Sequence, residues 1–462
     1  MIPFDHQVVG AKFLAARQAA LLADDPRCGK TGAAIMAADM VLAKSILVVT
    51  TASGRPVWRR ALGDWSVFRR PVTILDPARW HGPWVSAELA CVITSWKTVT
   101  KNEVRAAMMA REWDLVILDE CHYAKNFETQ RTQAVYGHLI DDGDDYSAER
   151  SAIQRTKRVW LLSGTPAPNS VVDIYPHLRA LRPACLRNDG FPQAIDGHPA
   201  EWPDVLGFER FLKRYAVVGY KKLSKWNKVR VIIRGQNEPE LRQRIGDFML
   251  RRTQQDVGIT EPIYEIMPLT ISRTVQAQIE RDAKVDLIVR AAQEGRTADL
   301  EMHLSKVRRF LGEAKAPALV EALKEEFECG LDKIVIMAWH KDVIAQLLVG
   351  LEAYGARAIT GSTTMAERER NEIDFRTDPD FKVLIGQIQA AGEAIDLSAA
   401  AELIFCESST VPKDMKQASL RITNHTQTRT PRVRVAVLDG SFDDQVETIL
   451  LRKWASIKEV IG

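Results

Sequence analysis

The sequence predicts an α/β fold: two parallel-sheet lobes with a mostly helical insertion between them. Three observations predict it. Short unbroken Val/Ile/Leu runs bounded by turn residues recur in two blocks, as strands buried on both faces of a parallel sheet require. The segments between those runs have helical length and period. From about 170 to 325 the texture changes to long amphipathic patterns and basic, irregular stretches.

The first block holds AALLA (19–23), SILVVTT (45–51), LACVITSW (89–96), WDLVILDE (113–120) and RVWLLSGTP (158–166). The second holds KIVIMAWH (333–340), RAIT (357–360), KVLIGQ (382–387), ELIFCES (402–408) and RVRVAVLDG (432–440). Residues 1–170 are therefore assigned to the first lobe, 171–325 to the insertion and 326–462 to the second lobe. Within the insertion, 276–295 and 299–327 read as helices. The basic stretch 213–234 reads as a hairpin or a nucleic-acid patch, with Tyr220 and Trp226 among Lys221, Lys222, Lys225, Lys228, Arg230 and Arg234. The acidic stretch 141–150 reads as a solvated loop.

Composition excludes several classes. Net charge is only +3 over 462 residues, so a nucleic-acid surface must be a local patch rather than a global field. No apolar run approaches the ~18 residues of a membrane span, and the N-terminus lacks the pattern of a secretory signal. The six cysteines form no CxxC pair and no Cys/His cluster of zinc spacing, which suits free thiols in a reducing cytoplasm.

The chemistry concentrates first in DDPRCGKT, Asp24 to Thr31, which sits between a short apolar run and a helical pattern. Strand, loop and helix form the setting of a phosphate-binding loop, in which helix N-terminal amides face the anion. Gly29, Lys30 and Thr31 would bind ATP, with Lys30 on the β- and γ-phosphates and Thr31 on Mg²⁺. Asp119-Glu120 ends a second strand run. Such a pair suits metal-assisted phosphoryl transfer, one carboxylate orienting Mg²⁺ and the other polarising the attacking water.

In this order and spacing the chain resembles the Swi/Snf-like branch of superfamily 2 motors, double-stranded DNA translocases of two RecA-like lobes. In texture it is nearest the annealing-helicase subgroup. Phe4-Asp5-His6-Gln7 with Gly10 resembles the adenine-reading segment, with Gln7 on the base. LADDPRCGKT, ILVVTTASGRPVWRRALGDW, CVITSW, DECHYAKN and LLSGTPAPNS resemble motifs I, Ia, Ib, II and III. FERFLKRYA and FMLRRTQQDV resemble segments joining the lobes. IVIMAWHKDVIAQL, ITGSTTMAERERNEIDFRTDPDFKVLIG, QAAGEAIDLSAAAELIFCESS and QASLRITNHTQTR resemble motif IV, the segment after it, and motifs V and VI.

The resemblance implies an ATP- and Mg²⁺-dependent motor on DNA. Glu120, Arg421 and Gln417 would be catalytic, Asp119 and Thr31 metal-binding, and Ser163 and Thr165 would couple hydrolysis to movement. DNA phosphates would meet Thr51, Ser53, Arg55, Ser95, Lys97, Gly361, Ser362, and Gln387 or Gln389. For each, a capped helix or a turn is the competing reading. Phosphate contacts carry no sequence information, so no sequence specificity is expected. Trp58 is expected to pack inside the first lobe. The compact chain, with no zinc module or reader domain, suits an enzyme of the bacterial or phage-infected cytoplasm acting in replication, recombination or repair.

Three departures from the family pattern stand out. Pro26 and Arg27 occupy loop positions where glycine and free amides are usual. Asn424 stands where a second arginine finger belongs, with Arg429 and Arg432 near enough in sequence to substitute. Glu393 and Asp396 make motif V unusually acidic and are expected to face away from DNA. Three activities remain open: a duplex or branched-DNA translocase, a strand-separating helicase on DNA or RNA, and a DNA clamp with slow turnover.

Overall fold

The computed structural model describes residues 2–75, 90–140, 145–167, 170–187, 205–222, 228–271, 297–391, 395–409 and 412–438. The expected helix at 276–295, together with Lys225, Trp226 and Glu393, lies outside them. The chain divides into two units, Met1–Val257 and Gly258–Gly462, each built on its own sheet.

The strands in chain order are β1 (Ala19–Leu22), β2 (Ser45–Thr50), β3 (Val72–Ile74), β4 (Ala90–Ser95), β5 (Leu115–Asp119), β6 (His138–Ile140), β7 (Asp145–Ser147) and β8 (Val159–Leu162). They continue with β9 (Ala216–Lys222), β10 (Lys228–Gly235), β11 (Met249–Leu250), β12 (Ile263–Leu269) and β13 (Ile334–Ala338). The last four are β14 (Arg357–Ile359), β15 (Val383–Gln387), β16 (Glu402–Phe405) and β17 (Arg432–Leu438).

The first unit carries a seven-stranded sheet in the order β11-β1-β8-β5-β2-β4-β3, parallel throughout. Alternate residues of each strand feed separate cores. Leu47, Val49, Val116, Leu118 and Leu161 pack on one face, and Ile46, Val48, Leu115, Ile117 and Leu162 on the other. With both faces buried, neither position of the two-residue repeat can be polar, so the strands read as unbroken apolar runs. The second unit repeats the plan with six parallel strands, β12-β17-β16-β13-β15-β14. Its two cores likewise take alternate residues, Ile334 and Ile336 against Val335 and Met337.

Residues 171–325, expected as one mostly helical insertion, are shared between the units. Helices Tyr175–Leu181, Phe208–Tyr215 and Glu238–Ile245 and strand β11 belong to the first; β12 and most of helix Thr297–Glu328 belong to the second. The stretch 216–235 forms the antiparallel ribbon β9–β10. Part of the expected acidic loop is also ordered. Residues 145–147 pair with 138–140, and Tyr146 donates its hydroxyl to the Tyr136 carbonyl. Hairpins made of polar residues carry little apolar alternation and escape a pattern search.

Candidate nucleotide site

Three loops leave adjacent strands at one edge of the first sheet. Leu22 of β1 and Asp119 of β5 both register with Leu162 of β8. The phosphate loop, the acidic pair and the Ser163–Thr165 turn therefore emerge side by side at the carboxyl ends of parallel strands. Open α/β sheets bind ligands at that edge.

The loop from Ala23 to Gly29 leads into helix Lys30–Met40, whose N-cap is Gly29 at φ 77° and ψ 30°. A Cβ on Gly29 would fall 2.0 Å from Gln7 Nε2, so glycine is required twice over, by conformation and by space. Gln7 is buried and donates to the Gly29 carbonyl at 3.3 Å while its Oε1 accepts the Phe4 amide at 3.0 Å. His6 Nε2 lies 3.0 Å from the Cys28 carbonyl. The segment Phe4–Gln7 and the loop before Lys30 are thus bonded together. Lys30 Nζ donates to the carbonyls of Asp24 (2.6 Å) and Asp25 (3.0 Å), and Thr31 follows in the first helical turn. Burial pushes the Cys28 thiol up to about 12, keeping it neutral inside the loop.

Both loop departures have a structural setting. Pro26 packs on Gly164, where a Cβ would come within 2.8 Å of the proline ring. Arg27 adopts φ 72°, a left-handed conformation that costs a side-chain-bearing residue roughly 1–2 kcal/mol. Such strain persists where the surroundings over-determine the backbone. Here the segment after β11 does so. Ala23 N donates to the Leu250 carbonyl at 2.7 Å and Asp25 N to the Arg252 carbonyl at 2.9 Å. Arg252 grips both carboxylate oxygens of the buried Asp24 and donates to the His6 carbonyl. Gln254, fully buried, donates Nε2 to the Pro26 carbonyl at 2.9 Å.

Asp119 is held by Thr50 Oγ1 (2.7 Å) and Trp58 Nε1 (2.8 Å) on one carboxylate oxygen, and Trp96 donates to its backbone carbonyl. Trp58 thus packs inside the lobe, as expected, and also aims the carboxylate. Burial and the neighbouring Glu120 charge push the Asp119 carboxyl up, to about 6, against the opposing pull of Trp58, Thr50 and Lys30. Mg²⁺ suits this donor set. A hydroxyl and a carboxylate are hard oxygen ligands, and Mg²⁺ takes few protein ligands beside substrate phosphates. Among the described residues no cluster of three or more His, Cys, Asp or Glu side chains could hold a metal by itself.

Glu120 sits at φ 51°, turning the chain sharply after β5. His122, buried between the acidic pair and the Ser163 turn, places Nδ1 3.1 Å from both Glu120 Oε2 and Ser163 Oγ. Ser163 Oγ also accepts the Thr165 amide at 3.1 Å. His122 thus lies between Glu120 and Ser163. The roles of His122, Arg252 and Gln254 escaped sequence reading. Arg252 and Gln254 lie in a segment read only as a lobe connection, and tertiary pairing alone brings them to the loop.

The expected DNA residues are mostly engaged locally. Thr51 Oγ1 accepts the Gly54 amide and meets Ser53 Oγ. Arg55 donates to the Leu75 carbonyl at 3.1 Å. Ser95 is buried and bonded to Thr98 at 2.8 Å, while Lys97 is exposed. In the second unit, Gly361 N donates to Gln387 Oε1 and Ser362 Oγ meets Thr360 Oγ1.

Gln417 is buried on helix Pro412–Ser419, and Arg421 lies in the single turn Leu420–Ile422 that follows. Asn424 donates Nδ2 to Ser398 Oγ and accepts from the Thr426 amide and hydroxyl. Ser398 in turn donates to Asp396 Oδ1 from its amide (3.0 Å) and hydroxyl (2.7 Å). Gln427 clamps the same turn by donating to the Ser398, Ala400 and Ile422 carbonyls. The two arginines considered as substitutes are engaged within their own unit. Arg429 bonds Asp332 and the Ala399 carbonyl. Arg432 opens β17 in register with Ile263 and Glu402, at the edge opposite the strand carboxyl ends, and pairs with Glu265 and Glu402.

Two family models match the chain: an SNF2-related domain over residues 6–278 and a helicase conserved C-terminal domain over residues 315–425. The DNA annealing helicase and endonuclease ZRANB3 of Bos taurus is 24% identical over 448 residues, covering 94% of this chain and 38% of the relative. The SWI/SNF-related matrix-associated actin-dependent regulator of chromatin subfamily A-like protein 1 of Xenopus tropicalis is 25% identical over 474 aligned residues, covering 100% of this chain and 44% of the relative. The chain thus spans less than half the length of either relative. Among solved structures, the Sulfolobus solfataricus SWI2/SNF2 ATPase core in complex with dsDNA aligns at 18% identity with a TM-score of 0.43, over 100% of this chain and 93% of that one.

Proposed function

The chain belongs to the SNF2-related family of helicase-like ATP hydrolases, and we propose that it is a DNA-dependent ATPase that moves along duplex or branched DNA without sequence specificity. The observation that carries this reading is the convergence of the phosphate loop, the acidic pair and the Ser163–Thr165 turn on three adjacent strand ends. Relatives named for DNA annealing and chromatin regulation support DNA as the polymer.

In this reading Gln7 reads the adenine and Lys30 holds the β- and γ-phosphates. Thr31 and Asp119 would hold Mg²⁺, which neutralises charge building on the phosphoryl oxygens. Glu120 orients the attacking water and takes its proton at the carboxylate. His122 relays the state of Glu120 to Ser163 and so to the Thr165 turn. Arg421 and Gln417 take the catalytic roles the family resemblance implies, Arg421 as a cation and Gln417 as a neutral amide donor. Thr51, Ser53, Arg55, Lys97, Gly361 and Ser362 meet DNA phosphates once their local bonds are exchanged, with Ser95 shaping the turn beside them. Replication, recombination or repair in the cytoplasm is the setting we propose. Among the described residues no helix is long and apolar enough to cross a membrane.

A second reading, a DNA clamp with slow turnover, is favoured by one observation. Asn424 is tied to Ser398 within its own unit, where a mobile cation would otherwise serve hydrolysis.

Steady-state ATP hydrolysis with no polymer, single-stranded DNA, duplex, forked DNA and RNA tests the readings. The translocase reading expects strong stimulation by duplex or forked DNA. Lys30→Ala is expected to lower the stimulated rate by about 100-fold or more, the scale of losing one charge-stabilising donor. Tight ATP binding with no turnover on any polymer would leave the clamp. Displacement of a paired strand would move the assignment to a helicase.

A further inference from the structure

The ribbon β9–β10 lies outside the nucleotide chemistry and departs sharply from the rest of the molecule in charge. Residues 216–235 hold six Lys or Arg and no Asp or Glu, twice the net charge of the whole chain. A fold gains nothing from concentrating like charges on one two-stranded element, since neighbours on it repel. Two strands alone are marginal in water, so the ribbon needs either an anchor or a ligand.

Its root is anchored. Ala216 is buried, Val218 packs against the first unit's core, and Gln236 N donates to the Tyr215 carbonyl at 2.9 Å. Gln236 and Asn237 side chains donate to the Lys213 and Arg214 carbonyls. Arg230 straps the ribbon to helix Phe208–Tyr215 by donating to both Glu209 oxygens, an exposed pair that a phosphate can displace.

Beyond the root the surface is open. Register pairs Val218 with Ile232, Tyr220 with Arg230 and Lys222 with Lys228. Since side chains alternate, Val218, Ile232, Tyr220 and Arg230 share one face, apolar at the root and aromatic-cationic beyond, and Lys222 and Lys228 hold the next register positions. Tyr220 is 71% exposed, and Ile233, at the register shift, is 65% exposed. Exposed aromatics among cations match polynucleotide chemistry, where rings stack on unpaired bases and ammonium or guanidinium groups meet phosphates. A two-stranded ribbon also has the width that the major groove admits.

We propose that this ribbon is a second DNA contact of the motor, gripping backbone phosphates through its cationic face and stacking Tyr220 on an unpaired base at a branch. The inference rests on DNA being the polymer. It supplies what a backbone-reading motor otherwise lacks, a way to prefer forked over continuous duplex.

Two variants of the full chain test it, Lys222→Gln/Lys228→Gln and Tyr220→Ala, with forked and duplex DNA titrated at several salt concentrations. Each phosphate contact adds ~0.9 to the slope of log affinity against log salt, so the double variant is expected to flatten that slope by about 2. Tyr220→Ala is expected to weaken forked DNA about tenfold, the scale of losing one base stack, and duplex much less. ATP hydrolysis without DNA stays at the parent rate in both. Unchanged slope and unchanged fork preference, with the parent binding DNA normally, overturn the ribbon's role and leave the motor reading intact. A parent that binds no DNA overturns both.

Discussion

The phosphate loop of the first unit and the Leu420–Gln427 turn of the second both depart from their family patterns, with opposite results. In the loop, Pro26 and Arg27 stand where glycine and free amides are usual, yet Gly29 keeps its left-handed cap and Lys30 and Thr31 open the helix. Contacts from Gly164, Arg252 and Gln254 absorb the change. In the turn, Asn424 is drawn into a polar chain with Ser398 and Asp396, and Gln427 closes the same turn. One departure is compensated by the surroundings. The other carries an amide bonded within its own unit. The lesson is that a motif tolerates substitution where the backbone does the binding, and changes role where a side chain does.

Breaking the compensation should give the largest effect. Arg252→Gln leaves the Asp24 carboxylate buried without its cation, and is expected to cost about 3–5 kcal/mol. Urea unfolding followed by tryptophan emission checks this. Gln254→Met, which removes one donor at nearly constant volume, should raise the KM for ATP more than it lowers stability. Equal loss in stability and none in KM would make the brace purely structural.

The next effect sharpens the other half of the comparison. Asn424→Arg restores a cation and breaks the bond to Ser398. DNA-stimulated kcat is expected to rise about tenfold, modest beside the three to five decades of the best arginine fingers, because the local turn is shaped for asparagine. An unchanged kcat would mean that Arg421 suffices. The smallest effect concerns Arg27. Arg27→Gly relieves the left-handed strain but adds freedom to the unfolded chain, for a net stabilisation of about 0.5–1 kcal/mol. Thermal melting reads the stability, and a concurrent rise in KM for ATP would reveal that the guanidinium assists nucleotide binding.

The two sheets were legible because burial on both faces leaves an unambiguous apolar run. Every long strand read from the sequence, from 45–51 to 432–440, corresponds to a strand of the fold within a few residues. The two-residue β11, the short edge strand β3 and the half-exposed β12 were not legible, since edges need no continuous apolar pattern. The placement of Gly29, Lys30, Asp119 and Glu120 at strand ends could be read because it depends on local spacing. That Ser95 would be buried in its own turn, or that Arg429 and Arg432 would be paired elsewhere, depends on neighbours remote in sequence.

By itself, the sequence determined two parallel α/β lobes and the strand-end positions of the Gly29–Thr31 loop and the acidic pair, because strand burial and strand–loop–helix spacing are short-range properties of the chain. Tertiary structure alone decided that the segment after β11 would brace the loop from 228 residues away and that His122 would bridge Glu120 and Ser163. It also decided that Asn424 would be locked rather than free. Each of these is a pairing between polar groups, and a polar group takes whichever partner the fold brings within hydrogen-bond distance.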